Sequence, residues 1–238
     1  MHLFALLILF ASILLSGSTL FFFGKISSKT LKLTLAFSGA YLFSLSLIHL
    51  LPEVYDSGGA TIGIFILLGF FLQIVLEIFS EGIEHGHIHV HKEHLGSFPL
   101  AVMLGLCIHS FLEGMPLAQR FNDASTGTSL LAGIILHHIP VAIALMTMLL
   151  DSGIGKQKAF FYLAIFALMA PLGSFTGTWL SEIFTRDLSL LFDRLMAMVI
   201  GIFLHISTTI LFESYEEHRY NLYKLLTILA GAGLALLS

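Results

Sequence analysis

Residues 61–83 read TIGIFILLGFFLQIVLEIFSEGI. From Ile62 to Leu72 nothing is more polar than glycine, and the stretch covers the roughly 20 apolar residues that a helix needs to cross a bilayer core. Its polar residues are sparse and regularly spaced. Gln73, Glu77 and Glu81 recur every four residues and so line one helical face, and His85 continues the series into the next connector. Such a stripe points inward, because lipid on every side would leave it unsolvated.

Seven further segments share this character, which gives spans at 3–23, 31–53, 61–83, 98–119, 127–150, 158–181, 190–212 and 220–237. Composition agrees. A mean hydropathy of +0.94 with only 11% charged residues is far from a soluble domain, about a quarter of whose residues are charged. No segment shows the ten-residue alternation of an outer-membrane barrel strand. The expected fold class is therefore an all-α integral membrane protein, eight transmembrane helices forming one domain over residues 1–238, with a cytoplasmic His-rich loop at 84–97. Residues 3–15 lack a basic flank and a clear small-residue cleavage site, so they read as an uncleaved first span. The net charge of -4 has no basic clustering, which speaks against a nucleic-acid partner. The single cysteine, Cys107, rules out an internal disulfide framework.

Charge sets an orientation. The odd connectors carry Lys25, Lys29 and Lys32, then Lys92, then Lys156 and Lys158, then Arg219 and Lys224. The even ones hold Arg120 and Arg186, with Arg194 near the start of the seventh span. By the positive-inside rule the odd connectors are cytoplasmic and both termini extracytoplasmic.

Ionisable groups inside spans cost several kcal/mol and mark functional positions by default. In HSFLEG, His109 and Glu113 stand four residues apart and stack on one face. Imidazole nitrogen beside carboxylate oxygen suits Zn²⁺ and neighbouring divalent ions; a neutral His bonded to a protonated Glu is the structural alternative. The fifth span carries HHIP, with His137 and His138 just ahead of Pro140. Adjacent helical residues point about 100° apart, so the two cannot face one ion equally. His138 is favoured as the ligand and His137 as its neighbour. HLLPE repeats the four-residue spacing in His49 and Glu53 near the outer surface, either as a capture site or as an ordinary polar helix end. His205, followed by Ser207, Thr208 and Thr209, either lines the same path or is hydrogen-bonded packing. The connector EHGHIHVHKEH offers His85, His87, His89, His91 and His94, an alternation typical of weak metal-binding tracts.

Together these features resemble the ZIP (Zrt/Irt-like) family of divalent metal transporters. The resemblance rests on HSFLEG at 109–114, HHIP at 137–140, HLLPE at 49–53, APLG at 170–173 and GIFLH at 201–205. It implies a mid-membrane metal site, uptake into the cytoplasm, and movement of one helix group against another. Members with a two-metal centre carry Asn after the fourth-span histidine, acids on both sides of the fifth-span proline, and Glu before the sixth-span proline. Here those positions are Ser110, His138, Val141 and Ala170. A single metal held mainly by His109, Glu113 and His138 is therefore expected, with water, His137 or another span filling the place of Val141.

The expected activity is transport of Zn²⁺, or of Fe²⁺, Mn²⁺ or Cd²⁺, by a non-enzyme in the plasma (inner) membrane. Its partners are the metal ions, the lipid bilayer and a second copy in a homodimer. Two other readings stay open: a membrane haem or redox protein with His109 and His138 as axial ligands, and a transport-impaired metal sensor. An intramembrane zinc protease would need H-E-x-x-H, which the sequence lacks.

Overall fold

The structure, a computed structural model, describes residues 3–86, 99–118, 121, 124–183, 188–213 and 222–238. Every regular element among them is helical. Seven helices are long and apolar enough to cross a membrane: α1 (Leu3–Phe23), α2 (Ser28–Asp56), α3 (Ile62–Ser80), α4 (Leu100–Ala118), α5 (Ser125–Asp151), α6 (Lys156–Ser181) and α7 (Leu190–Phe212). The eighth predicted span is a shorter apolar helix, α8 (Leu222–Leu237). Its 16 residues reach about 24 Å, short of the ~30 Å hydrocarbon core.

Lipid-facing and inward-facing helices separate by burial. The membrane window of α3 is 22% buried and that of α1 28%, against 67% for α5 and 61% for both α4 and α7. Ile64, Leu67, Phe71, Val75 and Ile78 of α3 accordingly point outward, while Gln73 is buried. The inner helices enclose a core that includes Tyr41, Leu106, Leu145, Phe166 and Phe203. α3 lies along α7, α8 along α2, and α4 along α6, with α1 against α5 and α6. Lys25 pairs with Asp151 at 2.5 Å, which ties the α1–α2 connector to the end of α5.

Lipid tails give helices no hydrophobic drive to associate, so close backbone approach supplies the packing. Gly69 of α3 lies directly against the Met198 carbonyl of α7, and Gly201 of α7 against the Ile66 carbonyl of α3. A methyl group at either position would overlap the opposite backbone.

Two local departures from straight helix shape the interior. In α2, Ser46–Leu50 forms a π turn, and the Leu51 N–H donates to the Ser46 carbonyl. Pro52 comes immediately after it and offers no N–H to the carbonyl four residues back, so the helix widens there. The third span is expected to run to residue 83 but stops at Ser80, because Glu81 takes a left-handed conformation (φ 52°). Gly82 (φ 71°) and Gly86 (φ 89°) flank a 3₁₀ turn, Ile83–His85, that folds back with all three residues buried. Glu81 is thereby exposed and leaves the stripe, and Glu84 takes up an interior position instead.

Gly201→Ala is expected to destabilise the fold by about 1–3 kcal/mol through overpacking. Gly233, whose added methyl would meet open space, gives a neutral or slightly stabilising Ala variant. Thermal unfolding of both in detergent micelles checks the contrast.

Candidate metal centre

The imidazole and carboxylate predicted to share a face of α4 do so. His109 Nε2 lies 3.0 Å from Glu113 Oε1, and both side chains are buried. His137 of α5 completes the cluster, with one ligand atom from each of the three within 4.8 Å of the others. Both ring nitrogens of His137 and both oxygens of Glu113 are buried without a hydrogen bond among the described residues. Four such orphans in one place are unusual in a folded protein, and each costs free energy unless something else satisfies it.

The hydrogen bonds around His109 show what that something is. Its Nδ1 sits 3.1 Å from Gln73 Oε1, an oxygen that can only accept, so Nδ1 carries the proton and donates. A neutral His109 then turns the lone pair of Nε2 toward a carboxylate oxygen. Two lone pairs at that distance repel, so the arrangement needs something between them: a proton, carried by Nε2 or by the carboxyl, or a metal ion. One carboxylate and two imidazoles form a ligand set well suited to zinc, with a fourth position left for water or movement.

His138, expected as a ligand beside His109 and Glu113, has hydrogen bonds of its own. Its Nδ1–H donates to the Ile134 carbonyl at 2.9 Å, which leaves Nε2 to accept from the Ser110 hydroxyl at 3.0 Å. The ring also stacks on Phe166, with centroids 5.4 Å apart. His138 stays near the carboxylate, Nδ1 lying 3.6 Å from Glu113 Oε2, but both nitrogens are engaged. The same engagement leaves no spare atom for pairing His109 with His138 as haem axial ligands. One residue of helix rotation separates their partners: both rings lie about equally near His109, but His138 is also bonded to Ser110 and stacked on Phe166.

A second cluster lies toward the end of the molecule that carries Lys25 and Asp151. Glu77 of α3, His85 of the 3₁₀ turn and His205 of α7 bring one ligand atom each within 4.8 Å of the others. His85 Nε2 is 3.4 Å, and His205 Nε2 3.5 Å, from opposite oxygens of Glu77. Phe70 packs edge-on against the His205 ring. The sequence points to His85 and His205 separately, and only the fold joins them through Glu77.

Between the clusters sits Glu84, fully buried, accepting a hydrogen bond from Gln73 Nε2 through its Oε2. Burial pushes the Glu84 carboxyl above the ordinary carboxylate range, against the pull of His109 and His85. Glu77 and Gln73 belong to the stripe read in the sequence; the one signal for Glu84 is its place at the head of the histidine run. His49 and Glu53 join neither cluster. The His49 Nε2–H donates to the Ala235 carbonyl of α8 at 3.1 Å. His87, His89, His91 and His94 lie outside the described residues.

The profile of the ZIP zinc transporter family matches residues 81–238, more than half of the chain. The chain belongs to the ZIP family. Three relatives illustrate the range within it. Zinc transporter ZIP9 of Micropogonias undulatus is 27% identical over 154 residues, covering 63% of this chain and 50% of its own length. Zinc transporter YKE4 of Saccharomyces cerevisiae is 28% identical over 179 residues, covering 66% and 51%. Human Zinc transporter ZIP6 is 25% identical over 107 residues, covering 44% and 14%. The chain thus spans about half the length of the first two. The matched ZIP region contains His109, Glu113, His137, His138, His85 and His205, and leaves Gln73 and Glu77 outside it.

His137→Ala should weaken zinc binding by more than the about 10–100-fold that outer-shell substitutions cost, and His138→Ala should stay within that range. Zinc titration of the purified proteins in detergent measures both.

Proposed function

We propose that this ZIP-family chain transports divalent metal cations, Zn²⁺ foremost, across a membrane into the cytoplasm. One observation carries this reading. A carboxylate and two imidazoles converge at the centre of an apolar bundle with their ligand atoms mutually close and without hydrogen bonds to one another. Three ligands without thiolate hold a borderline ion firmly enough to dehydrate it and loosely enough to release it. The relatives' names, each that of a zinc transporter, point to the same cargo.

The site takes one ion. Three of the four positions where two-metal members have acids or an amide support this: Ser110 is bonded to His138, Val141 is buried and apolar, and Ala170 is buried against α4. His137 fills the place that Val141 leaves. His109, Glu113 and His137 are the transport ligands, with His138 lending charge and shape beside them.

Glu77, His85 and His205 form the release station. The ion passes to it from the central site and then to the connector carrying His87, His89, His91 and His94. Lys25, Lys29 and Lys156, against Asp151, Tyr223 and Phe21, lie at this end, which by the positive-inside rule is cytoplasmic and leaves both termini extracytoplasmic. α8 counts as the eighth span of a single transmembrane domain, its shortness offset by local bilayer thinning. His49 and Glu53, on the opposite side, receive the ion first. A plasma (inner) membrane location and a homodimer fit the same picture.

Reconstituted into liposomes loaded with a fluorescent zinc indicator, the wild-type chain should admit Zn²⁺. His109→Ala or Glu113→Ala should abolish uptake while leaving the melting transition in place. Uptake at the wild-type rate in both variants would refute the assignment. Glu77→Gln should slow release, seen as a lower maximal rate with central-site affinity little changed.

A further inference from the structure

We propose that Gln73 and Glu84 are positioning residues: as a buried chain of hydrogen bonds they fix the ring tautomer of His109 and keep its Nε2 lone pair directed at the ion. The proposal rests on the transport reading above and deepens it.

The chain of contacts runs in one direction. Glu84 Oε2 accepts from the Gln73 Nε2–H, so the Gln73 amide has its N–H side committed and presents Oε1 to the other neighbour. That neighbour is His109 Nδ1, which therefore holds the ring proton. A proton taken up by Glu84 at its other oxygen, Oε1, leaves Oε2 still accepting. All three side chains are buried away from water. Which nitrogen of a histidine is free to bind a metal is set by the hydrogen bond that the other makes.

Without the chain the ring is free to carry its proton on Nε2 instead. That N–H would donate to Glu113 Oε1, and the two ligands would satisfy each other. An arriving ion would then have to break the bond. Holding the proton on Nδ1 keeps both ligand atoms open. Interhelical hydrogen bonds of this kind also help to hold α3 against α4, and that adhesive role alone would not depend on which ring nitrogen carries the proton. The chain also explains the backbone at the foot of α3. Glu81, Gly82 and Gly86 all take positive φ, and the fold-back they make is what carries Glu84 inward to Gln73.

The test uses the full chain with Zn²⁺ as probe. Gln73→Met removes the acceptor at similar volume, and the exchanged pair Gln73→Glu with Glu84→Gln restores it, since the carboxylate so introduced on α3 could accept from both neighbours. Three quantities are read: zinc affinity in detergent, KM and maximal rate of liposome uptake, and the His109 tautomer from ¹⁵N-histidine spectra of the zinc-free protein, assigned by difference from His109→Ala. Gln73→Met should lower affinity and raise KM by about 10–100-fold with the maximal rate largely kept, and shift the His109 proton to Nε2. The exchanged pair should recover affinity and the Nδ1–H form. A merely structural role would move the melting temperature but not the tautomer. Wild-type KM in Gln73→Met, or an unchanged Nδ1–H ring, would overturn the proposal. Should Gln73→Met fail to fold, Glu84→Gln decides: it frees the Gln73 amide to turn over, and a mixed tautomer with raised KM is expected. A pure Nδ1–H ring at wild-type KM in that variant overturns it equally. Full uptake by His109→Ala would instead strike the transport reading itself.

Discussion

Glu113 is a carboxylate with no exposed surface, held among apolar helices. A charge left unpaired there would cost several kcal/mol, more than most single contacts in a protein contribute. Its surroundings follow from that constraint. His109 stands one turn back on the same helix, His137 and His138 approach from α5, and none of them is exposed. The carboxyl group and its imidazoles are stable together only with a proton or a metal ion between them.

The helices divide this work. α4 and α5 carry His109, Glu113, His137 and His138 and are among the most enclosed, while α3 and α1 present much of their surface to lipid. α3 nevertheless contributes to both clusters from its buried edge. Gln73 meets His109 of the central site, and Glu77, one turn on and about 6 Å along the axis, meets His85 and His205. α3 can be peripheral and still matter to the chemistry because Gly69 and Gly201 let it lie against α7 at backbone contact. The turn after Ser80 closes the arrangement, since Glu84 faces the first cluster and His85, its neighbour, faces the second.

Where the chain departs from the two-metal pattern of its family, the departures compensate one another. His138 and Ser110 would each be an isolated polar group in an apolar core, and they hydrogen-bond to each other. The remaining His138 nitrogen is taken by the Ile134 carbonyl, and its ring by Phe166. Val141 and Ala170 need no partners, and both are fully packed. These four positions leave no stranded polar atom, as the proposed one-ion site requires.

Much of this was legible in the sequence, because the bilayer is an exacting solvent. Runs of about 20 apolar residues have one stable solution as helices, so the class of fold and seven of its long helices could be read directly. The pairing of His109 with Glu113 was equally legible, since both lie on one helix and the 3.6-residue period alone brings them together. Tertiary structure decided whatever depends on how one helix is rotated against another. How His137 and His138 divide around the carboxylate is a question of about 100°: both come near it, and the contacts of His138 with Phe166 and Ser110 depend on how α5 is rotated. That Glu81 turns outward and Glu84 inward depends on backbone angles after Ser80 that helical periodicity does not anticipate. The joining of Glu77, His85 and His205, and of Gln73 with Glu84 and His109, links residues from separate segments, and only the assembled bundle brings them within reach of one another.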